Sequence, residues 1–357
     1  MNILVLNSGS SSIKFSIFSE SHNAEPEIIL DGELSGVGTG AATLKCSAKE
    51  LAQVEAGTLD QAIDLVLDAV SHDSVASVDA VGYRVVHPGA KLHDHQRITN
   101  AVLRDLEEAV EFAPLHDPAV LKVIRAGMKR FPSVVHYACF DTTFHRTMPE
   151  EATVYPLPHT YRERGVRRYG FHGLSCESIV RQMKQQSILP KRMVIAHLGS
   201  GCSVTAVVDG LSVDTTMGLT PTGGVVMGTR SGDLDPGLVL YLLREQKGSR
   251  EEAIAAVETI LNHDSGMVAL AGMANDVRAV RLAAAAGDEK ALLALKVFTR
   301  SITKAIGAFC WSLKGLDAIV FAGGIGEHDA MSRLEILHGL QFIGMQIDAW
   351  KNHTPGE

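Results

Sequence analysis

Two arginines, one aspartate and two histidines stand where the handling of an anion would need them. Arg84 interrupts the apolar run of Val81, Val85 and Val86. A guanidinium in such a strand needs an anion, from the protein or from a ligand. Arg230 lies in Met227-Gly-Thr-Arg230-Ser-Gly-Asp233-Leu-Asp-Pro236, among small and turn residues with two carboxylates just beyond; a surface salt bridge is the plain alternative there. Asp141 ends the strand-like run 134–140, the place in an α/β sheet where functional groups gather. His116 and His172 sit in loops bounded by Pro or Gly, where a solvated histidine is the ordinary alternative. Three segments rich in small residues, 7–12, 199–203 and 323–326, each follow a strand-like run. Such turns present successive backbone N–H groups, and glycine lets a phosphate approach them closely. Singly each is a tight turn; together they point to nucleotide binding.

Familiar alternatives fail on context. No GxxxxGK[ST] occurs, and the protein-kinase set is missing. Gly36-Val-Gly38-Thr-Gly-Ala41 matches the loose dinucleotide pattern, but Thr43, Leu44 and Lys45 follow it in place of a periodic helix. His87, His93 and His95 cluster at a spacing that matches no standard metal site.

The elements that position these residues are legible in outline. Residues 2–6 form an apolar run, 7–12 a turn, and Ile13, Phe15 and Ile17 then alternate with Ser12, Lys14 and Ser16. That is a hairpin, and the period of two puts Lys14 with the small hydroxyl residues, away from the apolar side. Further strands are predicted at 27–30, 80–86 and 134–140, and helices at 59–70 and 102–112. The second half restarts with the same pattern, a strand at 193–198, a turn at 199–202, then alternating Val204, Ala206 and Val208. Ser203 aligns with Ser12 and Thr205 with Lys14, which reads as a duplicated domain. A long helix over about 288–313 follows, with Gly315 as its C-cap, and then a buried strand at 317–321.

The bounds from composition agree with a soluble enzyme. The length of 357 residues suggests about two domains. A net charge of −8 argues against a nucleic-acid partner. Five scattered cysteines without a CxxC pair suggest neither zinc nor disulfides and fit a reducing cytoplasm. The first residues lack a basic region, and no run reaches the ~20 apolar residues of a spanning helix, so neither a signal peptide nor a membrane partner is expected.

Taken together, these segments resemble the acetate kinase (acetokinase) family. The resemblance is carried by Leu6-Asn-Ser-Gly-Ser-Ser-Ser-Ile-Lys14-Phe, Gly82-Tyr-Arg84-Val-Val-His87, Ala113-Pro-Leu-His116, Phe140-Asp141-Thr-Thr-Phe144-His, Arg168-Tyr-Gly-Phe171-His172-Gly, residues 227–236 and Gly323-Gly-Ile-Gly-Glu327. They run in the family's order from residue 1 to about residue 348. The resemblance implies an α/β fold of two duplicated actin-like (ribonuclease H-like) domains with an ATP cleft between them. They would comprise residues 1–145, with the substrate arginine and first phosphate loop, and 146–357, for nucleotide binding and dimerisation.

The implied roles transfer position by position. Asn7, Ser10, Ser12 and Lys14 would lie near the phosphates and the metal, Mg²⁺ or Mn²⁺, with Asn7 at the metal itself. Arg84 and Arg230 would bind the carboxylate and the moving phosphoryl group, supported by Asp141, with His116 and His172 hydrogen-bonding the developing charge. His197, Gly199, Ser200, Gly201, Asp276, Arg278, Gly323, Gly324 and Ile325 would hold the nucleotide. Val86, Leu115, Phe171 and Pro221 would line the pocket for the acid's alkyl tail. A homodimer through the second domain is implied as well.

Four departures from the family pattern are visible. Ser200 replaces the usual Asn, shortening a side chain near the phosphates. Pro88 replaces a Gly after His87 and stiffens that loop, and Asp117 replaces an Asn after His116, adding a negative charge near the acid site. The sequence ends at Glu357, whereas the family continues through a strand and a glutamate that helps hold Mg²⁺; a truncation is the simpler reading, loss of part of the metal site the other. Among functions, acetate kinase leads, with a propionate or butyrate kinase as the alternative. The branched Val86 narrows the pocket towards acetate. A sugar kinase would need a base and a polar pocket. A non-enzymatic nucleotide-binding homologue would not need Arg84, His116, Asp141, His172 and Arg230 together.

Overall fold

In a computed structural model of the chain, residues 1–9, 11–20, 26–47, 49–73, 77–113 and 117–353 are described. They fall into two compact units, Met1–Thr143 and Phe144–Glu357. The strands of the first are β1 (Asn2–Ser8), β2 (Ser12–Ser19), β3 (Glu27–Ser35), β4 (Thr43–Cys46), β5 (Lys49–Gln53), β6 (Ala80–Val85), β7 (Gln96–Arg97) and β8 (Val135–Phe140). They form one sheet in the order β5-β4-β3-β2-β1-β6-β8-β7. β1 pairs antiparallel with β2 and parallel with β6, which runs parallel to β8. Alternation sends Leu4, Leu6, Ile13, Phe15, Val81, Tyr83, Val85 and Phe140 into one buried core with residues of the helices Leu59–Asp73 and Asp117–Arg130. Asn7, Lys14 and Arg84 alternate with those positions and share the other face.

The second unit repeats this plan on a smaller scale. Its strands β9 (Arg192–Leu198), β10 (Cys202–Val208), β11 (Leu211–Thr215) and β12 (Ala318–Ala322) lie in the order β11-β10-β9-β12. The first three are antiparallel neighbours and β12 runs parallel to β9, as β6 does to β1. The last pair of the first hairpin is Ser8 with Ile13 and that of the second Leu198 with Cys202, so no single offset aligns both strands of the two hairpins. That difference makes the residue-level repeat faint. The helix Glu289–Ser312, capped by Asp288, buries Ile302, Ile306 and Phe309.

Two local expectations change. The long helix ends on Lys314, at φ 55°, one residue before Gly315. The N–H of Gly315 donates to the Cys310 carbonyl and that of Lys314 to Trp311, the pattern of a Schellman end. Gly315 itself has φ 123°, a conformation that residues with a Cβ rarely adopt, and it packs beside the Arg192 guanidinium. Segment 323–326 is the first turn of the helix Gly323–His328 and not a loop between strands. The segment from Gly36 to Ala41 joins β3 to β4 with Gly36, Gly38 and Gly40 at positive φ, so no helix starts there.

Asp117 begins the helix Asp117–Arg130 and is 2% exposed. Neither carboxyl oxygen has a hydrogen-bond partner among the described residues. A helix N-terminus favours a negative charge by only ~0.3–1 kcal/mol on a surface, and burial costs more. Burial therefore pushes its carboxyl up to about 8, against a smaller opposing pull from the nearby His87 backbone. Asp117 is mostly neutral at pH 7 and closer to an amide than to an added charge, which reverses the expectation from sequence. The unfolded chain ionises this group near pH ~4 and the folded chain near 8, so its contribution to stability declines across that window. Asp117→Asn is expected to gain stability relative to the native chain as pH rises from about 4 to 8, read as midpoint shifts in urea at several pH values. A difference that does not change with pH would rule out the buried neutral acid.

Candidate functional site

The first unit assembles an arginine cluster at the ends of its central strands. Arg84, on β6, donates from Nη2 to Oδ2 of Asp141 at 2.6 Å and from Nη1 to Oδ1 of Asn7 at 3.2 Å. Asp141 follows β8 directly, and its N–H is held by the Val85 carbonyl at 3.0 Å. The Asp141 side chain is 4% exposed and that of Arg84 30%. Burial works against the Arg84 cation, but Asp141 outweighs it and holds the group protonated. The anion that an arginine in an apolar strand requires is therefore supplied by the protein. A guanidinium has five N–H donors in a fixed fork, and those not given to Asp141 and Asn7 have no partner among the described residues.

Around this cluster, Asn7 is paired with Lys14 across the hairpin, and Lys14 is exposed, 3.9 Å from Glu33. The turn is shaped by the Gly9 N–H donating to the Ser12 carbonyl at 2.7 Å. Ser8 Oγ is buried without a partner among the described residues. Val86 is buried directly beyond β6. Ser10, Leu115 and His116 lie outside the described residues.

In the second unit His172 has a left-handed backbone, φ 58°, and forms the N-cap of the helix Gly173–Gln185. That conformation is costly for a residue with a Cβ and marks a site held by its surroundings. The His172 ring stacks on His197 at 4.2 Å. Its Nδ1 lies 2.8 Å from Ser203 Oγ, and the His197 Nδ1 lies 3.0 Å from Ser175 Oγ. Gly201 lies against this pair: a Cβ there would be 3.4 Å from both His172 Nε2 and Arg230 Nη1. Arg230 donates to the Pro221 carbonyl at 3.1 Å. Pro221 and Phe171 are both buried, and the Phe171 carbonyl bonds His145 Nε2. The two carboxylates after Arg230 have structural work. Asp233 accepts the Gly224 N–H, and Asp235 caps the helix Pro236–Glu245.

A cavity of about 870 Å³ opens in the same unit. Gly199, Ser200, Asp276, Arg278, Gly324 and Ile325 line it, six of the residues assigned to the nucleotide. Asp276 caps the helix Val277–Ala285 and pairs with Arg278 at 3.2 Å, and the Arg278 hydrogen bonds hold its carboxyl below the usual range. Gly323, at φ 75°, brings the next helix so close to β9 that a Cβ would sit 2.7 Å from the Leu198 carbonyl oxygen. The walls also include Asn275, Arg281 and His328, for which the sequence alone suggests no role. Arg281 has a local signal, since it lies on the same helix three residues past Arg278; Ser203 and Ser175 meet their histidines only through tertiary contact.

The acetokinase family model matches residues 2–357. An acetate kinase of Shouchella clausii is 40% identical over 99% of this chain and 91% of its own length. A crystal structure of Porphyromonas gingivalis acetate kinase superposes with a TM-score of 0.86 at 32% identity, covering 100% of this chain and 91% of that one. A propionate kinase from Francisella tularensis gives 0.90 at 35% identity, covering 99% and 91%. With a family match of this extent and relatives of this similarity, the chain belongs to the acetokinase family.

Proposed function

We propose that this chain transfers the γ-phosphoryl group of ATP to the carboxylate of acetate, reversibly, giving acetyl phosphate and ADP. The observation that carries this reading is Arg84: fixed by Asp141 and Asn7, with donors left over on a side chain that is partly exposed. Such a fork suits a carboxylate. The acid needs no general base, because a carboxylate is ionised at neutral pH. One of its oxygens forms the new bond to the γ-phosphorus while the bond to the bridging oxygen of ADP breaks. Catalysis then consists of alignment and charge stabilisation. Arg230 and the His172–Ser203 pair meet the charge on the transferring group, with His116 in the same role. In the 199–201 turn the Gly199 N–H is held by the Gly201 carbonyl, and the N–H groups of Ser200 and Gly201 are the ones offered to the phosphates. The 870 Å³ cavity takes the nucleoside through Asp276, Arg278 and the 323–325 segment.

A divalent metal is expected for a kinase of this kind. Among the described residues no group of three or more His, Cys, Asp or Glu side chains is placed to hold one. The donor at hand is the neutral Asn7 Oδ1, because Ser8, the next residue of β1, turns its buried hydroxyl to the opposite, core-facing side of the sheet. Such a donor fits Mg²⁺, which keeps several waters and is bound largely through substrate phosphates. The metal would neutralise charge on the phosphates, with Asn7 as its protein contact.

The second reading, a propionate kinase, is favoured by the similarity to the Francisella enzyme. Val86, Leu115, Phe171 and Pro221 are assigned to the alkyl tail, and the branched Val86 favours acetate. No helix is long and apolar enough to cross a membrane among the described residues, and a cytoplasmic location is proposed. The helix Pro236–Glu245 leaves Leu238, Leu240 and Tyr241 exposed at 40%, 52% and 54%, a face that a second copy in a homodimer would cover.

Trapping acyl phosphate with hydroxylamine, using ATP, Mg²⁺ and acetate, propionate or butyrate in parallel, tests the reading. Product is expected with all three and most with acetate; ATP binding without hydroxamate from any acid would refute it. Arg84→Ala and Arg230→Ala are each expected to lose at least about 10³ of turnover in a folded protein, by analogy with other transition-state arginines. Near-normal turnover in either would remove that arginine from the mechanism. Val86→Ala is expected to shift kcat/KM towards propionate by about tenfold or more, since one methylene is worth ~1–3 kcal/mol in such a pocket. An unchanged ratio would exclude Val86 from the wall.

A further inference from the structure

We infer that Asn275 is a positioning residue that ties the nucleotide cavity to the turn carrying Arg230, an inference that rests on the roles proposed above for both. Three segments distant in sequence meet at its side chain. Asn275 Nδ2 donates to the hydroxyl of Ser200 at 3.0 Å. Its amide also lies flat on Gly228, where an added Cβ would be 2.3 Å from Oδ1, 2.8 Å from Cγ and 2.8 Å from Nδ2. Ser200 closes the triangle, because its carbonyl accepts the Gly228 N–H at 3.2 Å.

Gly228 and Arg230 belong to one tight turn. The Met227 N–H donates to the Arg230 carbonyl, and the N–H groups of Ser265, Met267 and Val268 hold the carbonyls of Thr229, Met227 and Gly228. Gly266 lets that backbone approach: a Cβ there would lie 2.3 Å from the Met227 carbonyl oxygen and 2.8 Å from that of Arg230. The turn is therefore clamped along one side by the 265–268 backbone and on the other by the Ser200 carbonyl and the Asn275 amide. Asn275 directly precedes Asp276 and is itself part of the cavity wall with Ser200. A displacement of the cavity wall at 275 is thus transmitted to Ser200, on the phosphate turn, and to Gly228, two residues before Arg230. Ser200 supports this role with a short hydroxyl that accepts from the amide at close range. Here the residue that departs from the family pattern is the one that binds Asn275.

A double-mutant cycle on the full chain tests the tie. Asn275→Ala is expected to lower kcat by about tenfold to a hundredfold, the scale of a small misplacement in an aligned site. The KM for acetate and the melting temperature should stay close to those of the native chain. Gly228→Ala should push the amide off its seat and reproduce that loss, and the double variant should be no worse than Gly228→Ala alone. Should Gly228→Ala fail to fold, the cycle of Ser200→Ala with Asn275→Ala takes its place, with the same non-additivity expected. Losses that multiply in the double variant, or an Asn275→Ala kcat within about twofold of native, would overturn the inference. If the native chain forms no acyl phosphate, the failure lies with the proposed reaction, and the cycle is then read as non-additive loss of ATP-analogue affinity.

Discussion

Arg84 keeps its place because two parallel strands hold one register. Arg84 pairs with Cys139, so Phe140 ends β8 beside Val85 and Asp141 emerges within reach of the guanidinium. A slip of one residue would send Arg84 into the core and Tyr83 out of it. The core resists that slip. Tyr83 is fully buried, stacks on His136 and bonds its Nδ1 at 2.9 Å, and His136 in turn bonds the Phe131 carbonyl. The Tyr83 hydroxyl fits only because residue 127 has no side chain, since a Cβ there would stand 2.1 Å from it. The ion pair is thus the visible end of a packing arrangement on the opposite face of the sheet. A charge pair this buried contributes little net stability by itself; the apolar face determines where it stands.

The two sheets share a plan and use it differently. In β2 the alternation leaves Lys14 exposed between buried Ile13 and Phe15. In β10 every residue from Cys202 to Val207 is buried, so both faces are covered and no lysine is tolerated. Thr205, aligned with Lys14 by sequence, instead bonds Thr215 Oγ1 at 2.9 Å within the sheet. Ser203 is likewise buried and is directed to His172. The same topology therefore gives one unit a solvated cationic hairpin and the other a buried hairpin that supports histidines.

Much of this was legible in the sequence, for identifiable reasons. Period-two alternation marked β2 and β10, an apolar run marked β1, and an arginine breaking an apolar strand stood out at position 84. Glycines marked the turns because positive φ and close approach leave few substitutes. What escaped the sequence is what burial or non-local contact decides. Lys314 takes the left-handed position expected of Gly315, while Gly315 follows at φ 123° and packs beside Arg192, far away in the chain. Asp117 carries a formal charge in the sequence that its surroundings remove. The cavity draws its walls from residues near 199, 275–282 and 324–331, so no local pattern contains it.

The last constraint is electrostatic. With a net charge of −8, the chain would repel a polyanion unless its carboxylates near the candidate residues were committed elsewhere. Several of them are. Asp141 is bound to Arg84, Asp276 to Arg278, and Asp329 to Arg281. Asp233 accepts a backbone N–H and Asp235 caps a helix. Burial keeps Asp117 mostly neutral. Each commitment removes a repulsive charge or pairs it at a distance where its field largely cancels. Each unit then offers an anion hydrogen-bond donors: in the first, the N–H groups of Arg84 not given to Asp141 and Asn7, and in the second, Arg230 with the 199–201 turn. An acidic protein can in this way attract an anion to each unit without a basic face.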